Sequence, residues 1–241
     1  AALMESMPSR AQIHRMAARW LADGSRPEGL RIHTDTSDFF ALDAGDETIR
    51  KMLESAILIG IAMVLSEFAK FSSTWLFGGS VTLGSIVPLV LIAWRWGTRQ
   101  GLFSAFVFSL LQMFVGFKNV TYGQTALQMI FIALLDYVVA FTVIGLAAVF
   151  KDTVKNRLIA LVGGILLVSL LRFLCHFVSG WMIWDALWPN DKGLSGAAYS
   201  LIYNGGYMLP ETLIALVISL LLFIPLKRYW LGEDLAEARA A

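Results

Sequence analysis

Residues 170–184, LLRFLCHFVSGWMIW, combine a long apolar run with two side chains that can carry positive charge. Arg172 and His176 are four residues apart, so a helix places them on one face. Gly180 and Trp184 continue the same spacing. Ionisable groups inside a membrane-spanning helix cost roughly 2.5–3.5 kcal/mol on insertion scales, and they usually mark a functional site. We therefore predict that this face of the helix lines a ligand pocket.

Two other apolar runs carry polar groups at a similar depth. Asp136 lies in the earlier run, and Asn204 lies in the later one. Counted from the connecting loops, both residues lie about as deep as His176. A pocket built from a carboxylate, an imidazole, an amide and aromatic rings suits a flat, heteroaromatic, partly cationic ligand. We expect the pocket to open to the outside.

An aromatic belt at the membrane surface, with polar residues that hydrogen-bond neighbouring helices, is the alternative interpretation. We assign Trp188 and Tyr207 to such a belt. A belt does not explain a carboxylate and a histidine at that depth, or a cation one turn from the histidine. A buried carboxylate stays ionised only with a partner, and the candidates for Asp136 are Arg172 and a cationic ligand.

Catalytic and cofactor chemistry fits these residues poorly. The chain has neither G-x-S-x-G nor a Walker A motif, so the sequence indicates neither serine hydrolysis nor ATP hydrolysis. The apolar runs hold one histidine, which is too few ligands for a metal centre. The net charge of +1 gives no reason to expect nucleic acid. We therefore expect neither an enzyme nor a bound cofactor or metal.

The elements that must position these residues are membrane helices. Of the 241 residues, 57% are hydrophobic and 15% are charged, against roughly 25% charged in soluble domains. We predict an all-α integral membrane protein with six transmembrane helices in the lipid bilayer. The predicted spans are 52–69, 81–97, 101–117, 127–150, 157–184 and 197–226.

Basic residues at the ends of the spans orient the chain. Nine lie at one set of ends and three at the other, and the positive-inside rule then places both termini in the cytoplasm. The nine are Arg50, Lys51, Arg95, Arg99, Lys151, Lys155, Arg157, Lys227 and Arg228. The three are Lys70, Lys118 and Lys192. We divide the chain into a polar segment 1–49, either a cytoplasmic extension or an addition from cloning, a membrane domain 50–230, and a tail 231–241.

Four segments resemble the thiamine-specific substrate-binding (S) component of energy-coupling factor (ECF) transporters. They are GGSVTLGSIVPLVLIAWRWGTRQG (78–101), ALLDYVVAFTVIGLAAVF (133–150), LLRFLCHFVSGWMIW (170–184) and AAYSLIYNGGYMLPE (197–211). The resemblance covers about residues 50–230. It implies a six-helix protein of the bacterial plasma membrane that binds thiamine from outside. It also implies delivery to a shared transmembrane coupling protein with two cytosolic ATPases, which alone use ATP.

The resemblance also implies which residues bind the ligand. They are Asp136 and Tyr137 in the fourth span, Arg172, His176, Gly180 and Trp184 in the fifth, Tyr199 and Asn204 in the sixth, and Tyr122 in the loop before the fourth. Some relatives have Glu in place of Asp136 and Lys in place of Arg172. Gly79 and Leu83 stand where some members have Trp and Glu.

Ala56 and Gly60 form a small-xxx-small pair on the first span. Such pairs let helices approach closely in lipid, either within this chain or, as the resemblance implies, against the coupling protein. Two other functions stay open. The chain could be an S component for another small heteroaromatic vitamin or precursor, or a structural membrane protein without a ligand.

Overall fold

The computed structural model describes residues 47–72 and 79–235, so most of segment 1–49 and the end of the tail lie outside the described residues. The described helices are α1 (Glu47–Phe68), α2 (Val87–Trp96), α3 (Thr98–Val115), α4 (Phe117–Val120), α5 (Ala126–Ala148), α6 (Arg157–Leu187), α7 (Gly196–Phe223) and α8 (Lys227–Leu231). The strands are β1 (Lys70–Ser72) and β2 (Ser80–Thr82).

Helices α5, α6 and α7 are long and apolar enough to cross a bilayer, judged by length and composition. They correspond to the fourth, fifth and sixth predicted spans, and their ends agree with the prediction within three residues. Helices α1 and α3 lie at the first and third predicted spans. The count of six transmembrane helices and the position of the termini stay predictions.

The second predicted span, 81–97, was wrong in its first part, which contains a short strand and a turn, although the described residues are mostly helical as predicted. Strands β1 and β2 pair in antiparallel register, with Phe71 opposite Val81. Gly84 has φ of +78°, a conformation that an α-helix does not contain. Helix α2 therefore begins only at Val87, with Pro88 in its first turn, where a proline loses no helical hydrogen bond.

Helix α2 forms the centre of the apolar core. Leu89, Val90, Ile92 and Ala93 are fully buried, and the helix contacts α1, α3 and the last turns of α5. A helix that is apolar on all sides either lies in a protein core or is surrounded by lipid, and the burial of these residues places α2 in the core. Trp94 is fully buried as well, and its indole N–H donates to the carbonyl of Ala147 at 3.0 Å.

Small residues allow the last turns of α5, residues 143–148, to lie directly against α3 and α6. A Cβ atom at Gly145 would collide with the backbone of Leu102, and one at Gly164 would collide with the carbonyl of Ala147. Close approach through glycine and alanine is how helices associate where lipid supplies no hydrophobic drive. This contact fixes α5 relative to α6, and these two helices carry the polar residues singled out above.

An ionic cluster, the Arg95 clasp, joins the end of α2 to α1 and to the segment after α8. The Arg95 side chain is fully buried and donates to Glu54 at 2.5 Å and to Asp234 at 2.8 Å. It also lies 3.7 Å from the ring centroid of Tyr229. The hydrogen bond from Arg95 lowers the pKa of Asp234 below its ordinary value. The clasp ties the two ends of the described chain together.

Candidate functional site

A cavity of about 540 Å³ lies among α5, α6 and α7. Its lining residues are Asn119, Asp136, Tyr137, Phe141, His176, Gly180, Trp184, Asp185, Trp188, Tyr199, Ser200, Tyr203, Asn204 and Tyr207. Seven of the nine predicted ligand-binding residues are among them; Arg172 and Tyr122 are not. The structure therefore brings together side chains from all three of the predicted segments.

The carboxylate of Asp136 is held by three donors from α6. His176 Nδ1 lies 3.2 Å from Oδ1, while Ser179 Oγ and Trp184 Nε1 donate to Oδ2 at 2.8 and 2.7 Å. The Asp136 side chain is only 15% exposed. Two carboxylate oxygens offer about four acceptor positions, so the group retains capacity for a further donor from the cavity.

The contact with Asp136 also sets the chemistry of His176. An ionised carboxylate only accepts hydrogen bonds, so the Nδ1 that faces it carries the proton, and whenever the ring is neutral Nε2 is the acceptor. Among the described residues, Nδ1 is the ring nitrogen of His176 that has a hydrogen-bond partner. Asp136 and His176 together can therefore accept hydrogen bonds from an amine on a ligand.

Two π-helical segments shape this part of the cavity. One covers Ala133–Val138 in α5 and contains Asp136, and the other covers Gly180–Trp184 in α6. In a π-helix each N–H bonds to the fifth rather than the fourth carbonyl, and such turns often occur at functional sites. The wider turns displace the side chains from their α-helical positions, and each segment contributes two residues to the lining of the cavity, Asp136 and Tyr137 from the first and Gly180 and Trp184 from the second.

The ring of Tyr137 forms a fixed part of the wall. Its hydroxyl accepts a hydrogen bond from Asn119 Nδ2 and donates to the carbonyl of Gly116, both at 3.0 Å. A side chain at Gly116 would collide with this hydroxyl. Gly116 lies between α3 and α4 and Asn119 lies in α4, so α4 and the residue before it hold the tyrosine against the cavity.

Helix α7 closes the opposite side of the cavity through contacts with α6. Asn204 Nδ2 donates to the carbonyl of His176 at 3.3 Å, and Ser200 Oγ donates to the carbonyl of Phe177 at 2.8 Å. A Cβ at Gly180 would collide with Ser200. Gly180 thus permits the close approach of α7, and the amide nitrogen of Asn204 is engaged with protein groups.

Arg172 lies behind the cavity wall instead of in it. Its guanidinium pairs with Glu211 at 3.1 Å, and both side chains are at most 6% exposed. Glu211 also accepts a hydrogen bond from Thr82 at 2.5 Å. The guanidinium carbon lies 5.1 Å from the ring centroid of Phe141, which does line the cavity. Of the two candidate partners for Asp136, Arg172 is therefore excluded by this structure.

Aromatic rings surround the loop end of the cavity. Trp184 and Trp188 are stacked, with centroids 5.5 Å apart and an interplanar angle of 16°. Tyr122 meets Trp188 edge-on at 5.0 Å and Trp184 at 6.4 Å. Tyr122 therefore supports the two tryptophans from outside the lining. On α7, Tyr203 stacks on Tyr199 and meets Tyr207 edge-on.

Trp188 and Tyr207, which we assigned to a membrane belt, both line the cavity. A signal for them was present in the sequence. The spacing of four that links Arg172, His176, Gly180 and Trp184 reaches Trp188 in one more step. Likewise, the series that begins at Tyr199 continues through 203 and 207. Asn119, Phe141, Asp185, Ser200 and Tyr203 were also missed.

Apolar helices that can cross a bilayer, arranged around a cavity with a carboxylate, an imidazole and several aromatic rings, define a membrane protein that binds a small organic ligand. The family model described as "Thiamine transporter protein" matches residues 52–230, and the chain belongs to that family. It is accordingly a multi-pass membrane protein, and the predicted resemblance to thiamine-specific transport proteins is confirmed.

Individual relatives agree with this assignment. The thiamine transporter ThiT of Bacillus subtilis (strain 168) is 31% identical over 187 residues, which cover 74% of this chain and 92% of the relative. ThiT of Lacticaseibacillus paracasei is 27% identical over 194 residues, covering 76% and 91%. A solved structure of ThiT from Listeria monocytogenes superimposes with a TM-score of 0.60 at 25% identity, and covers 76% of this chain and 98% of the other.

Proposed function

We propose that this chain is the thiamine-binding membrane subunit of an ATP-driven ECF vitamin uptake transporter in the bacterial plasma membrane. The observation that carries the proposal is the carboxylate of Asp136, which three protein donors hold at the wall of an aromatic cavity. Membership of the thiamine transporter family supports thiamine as the identity of the ligand. Thiamine has two flat heteroaromatic rings joined by a methylene group, a cationic thiazolium and a pyrimidine that carries an amine, and these groups suit such acceptors and aromatic rings.

Each group of the cavity has a defined task in this proposal. Asp136 accepts a hydrogen bond from the amine or balances the positive charge of the ligand, and His176 accepts through Nε2. Trp184 supplies a stacking face, where a cation gains about 0.5–2 kcal/mol from the ring. Tyr137 and Tyr199 enclose the ligand from α5 and α7. Arg172 acts through Phe141, by supporting that ring from behind.

The proposal includes the predicted topology, with six spans, both termini in the cytoplasm and the cavity open to the outside. It also includes docking of α1 on a transmembrane coupling protein, which is associated with two cytosolic ATPases. Ala56 and Gly60 are exposed on α1, and a Cβ at Gly60 would meet none of the described residues within 4 Å. This exposure favours a surface for a partner over packing inside the chain.

Binding is tested by titrating the purified protein with thiamine and following its tryptophan fluorescence. Stacking of the ligand on Trp184 or Trp188 should quench the signal saturably, with one ligand bound per chain in parallel calorimetry. Competition by other heteroaromatic vitamins and precursors separates the alternatives. Tighter binding of a competitor would make the chain an S component for that compound. If no compound changes the fluorescence, the result would favour a structural membrane protein without a ligand.

Transport is tested in bacteria that lack their own thiamine uptake. The chain is expressed alone, with the coupling protein and ATPases, and with the same complex carrying inactive ATPases. Uptake of labelled thiamine that needs active ATPases supports the ECF assignment. Equal uptake by the chain alone would contradict it, whatever the binding experiment shows.

A further inference from the structure

Asp185 is a second carboxylate in the lining of the cavity, and nothing above gives it a task. It directly follows Trp184, the last residue of the second π segment, and it is half-buried. Its Oδ2 lies where a Cβ at Gly196 would be, so a side chain at that position would collide with it. The other oxygen, Oδ1, lies 3.4 Å from Asn190 Nδ2.

The N-terminus of α7 and the preceding loop fix the position of the Asp185 carboxylate. Gly196 is the first residue of α7, a helix of 28 residues, and Ser195 caps that helix through Ala198 N. A helix N-terminus favours a neighbouring negative charge. Asn190 also donates to the carbonyl of Leu194 at 2.9 Å, which fixes the loop beside it. The carboxylate is thus positioned where α6 ends and α7 begins, at the loop end of the cavity.

No lysine or arginine balances this charge in the lining of the cavity, which lies wholly within the described residues. The basic groups nearby in the chain are engaged elsewhere. Arg172 pairs with Glu211, Lys192 pairs with Asp191 at 3.2 Å, and Lys118 lies 6.0 Å from the ring of Tyr122. Asp136 and Asp185 therefore give the cavity a negative field, which concentrates cations and repels anions.

We propose that Asp185 sets the charge selectivity of the cavity, by favouring the cationic ligand over its anionic phosphate esters. The inference rests on the proposed function, since it takes thiamine as the ligand. A phosphate ester adds one to two negative charges, and those charges would meet two carboxylates in a partly dry cavity where Coulomb repulsion is strong. The lining offers no cation to compensate them.

The test compares binding of thiamine and of thiamine monophosphate to four forms of the full chain. They are the native protein, Asp185→Asn, Asp185→Glu and the control Asp191→Asn, whose carboxylate lies in the same loop but is 83% exposed. We expect Asp185→Asn to weaken thiamine binding roughly threefold to tenfold and to reduce the preference for thiamine over the monophosphate by about tenfold. Asp185→Glu should keep most of the preference, and Asp191→Asn should keep all of it.

A kinetic readout separates charge from structure. If Asp185 attracts the cation, its neutralisation should lower the association rate at low salt and flatten the dependence of that rate on ionic strength. Unchanged preference and association rate in Asp185→Asn would overturn the inference while leaving the proposed function intact. Equal losses in Asp185→Asn and Asp185→Glu, with lower thermal stability in both, would assign Asp185 a structural role and also overturn it. Absence of thiamine binding in the native protein would refute the proposed function itself.

Discussion

Trp184 donates its indole N–H to Asp136 at 2.7 Å, the shortest of the three hydrogen bonds that hold this carboxylate. The bond couples the orientation of the ring to that of the charged group. A ligand that stacks on the ring and binds the carboxylate therefore meets two groups that are already fixed relative to each other. Such preorganisation reduces the entropy lost on binding.

Asp136→Asn should reduce thiamine affinity roughly tenfold to a hundredfold. The substitution keeps the shape but removes the charge-assisted hydrogen bond, which is worth about 1.5–3 kcal/mol. It also turns an amide donor toward groups that themselves donate. Fluorescence titration or calorimetry measures the change, with Lys192→Ala in the loop as a control that should bind normally. Native affinity in Asp136→Asn would remove this residue from the binding site.

Trp184→Phe and Trp184→Ala separate the two tasks of the indole. Phenylalanine keeps a stacking face but lacks the N–H that Asp136 accepts, so we expect a loss of roughly fivefold to twentyfold in affinity, for one hydrogen bond to a charged group. Alanine removes the ring as well and should cost at least tenfold more. Calorimetry is the appropriate measurement, because both variants change the fluorescence. Equal affinity of the two variants would show that the ring does not contact the ligand.

Glu211→Gln should lower the thermal stability of the ligand-free protein strongly. Arg172 is buried beside it, and a buried charge that loses its partner costs about 3–5 kcal/mol. Replacing both residues, as Arg172→Met with Glu211→Leu, should recover most of that loss. Thermal unfolding followed by circular dichroism measures both effects. A double variant as unstable as Glu211→Gln alone would show that the pair does more than satisfy its own charges.

Ala56→Trp and Gly60→Trp should abolish thiamine uptake by the assembled transporter while leaving binding to the isolated protein unchanged. Both positions are exposed on α1, so a large ring there blocks the approach of a partner and disturbs nothing within the chain. Leu213→Trp is the matched control, because Leu213 is 63% exposed on α7. Loss of binding together with uptake would contradict the assignment of this face to docking.

Asp234→Asn should lower the thermal midpoint at neutral pH, because Arg95 loses one of its two carboxylate partners. The effect depends on pH in a defined direction. Since the Arg95 hydrogen bond lowers the pKa of Asp234 below its ordinary value of 3.8, the stabilisation is complete above about pH 5 and is lost as the pH falls through the folded-state pKa. The native and variant midpoints should therefore differ at pH 7 and converge in acid.

Asp152→Asn provides the control for that experiment. Its carboxylate is 86% exposed and lies 3.6 Å from Arg157, and exposed pairs of this kind contribute little to stability. The midpoint should be the same as that of the native protein at each pH. A gap for Asp234→Asn that persists in acid would show that the clasp does not act through the ionised carboxylate.

Helical spacing predicted that His176, Gly180 and Trp184 share a face, and all three line the cavity, with Gly180 and Trp184 inside the second π segment. Depth from the loops was sufficient to place Asp136 and Asn204 at the same level. The partner of Arg172 could not be found in this way. Glu211 is 39 residues away, and its approach depends on how α6 packs against α7, for which the sequence has no periodic signal.

The sequence pattern did not predict the π segments either. Counting at 100° per residue turns Asp185 away from the face of Trp184, yet both line the cavity. The β strands were missed for a different reason. Residues 81–83 are apolar enough to belong to a membrane helix, and only the positive φ of Gly84 separates them from α2.

The second π segment determines how the part of α6 beyond it is oriented. A turn that closes on the fifth carbonyl contains one residue more than an α-helical turn. Deleting one residue there, such as the exposed Met182, would let the helix return to regular geometry while everything beyond it keeps nearly its present orientation. If the segment became α-helical without a deletion, everything beyond it would instead rotate by about 100°. Trp184, Asp185 and Trp188 would then turn away from the cavity together, while His176 would stay in place. The register of one helical turn thus decides whether the inner and the outer halves of the site face the same ligand.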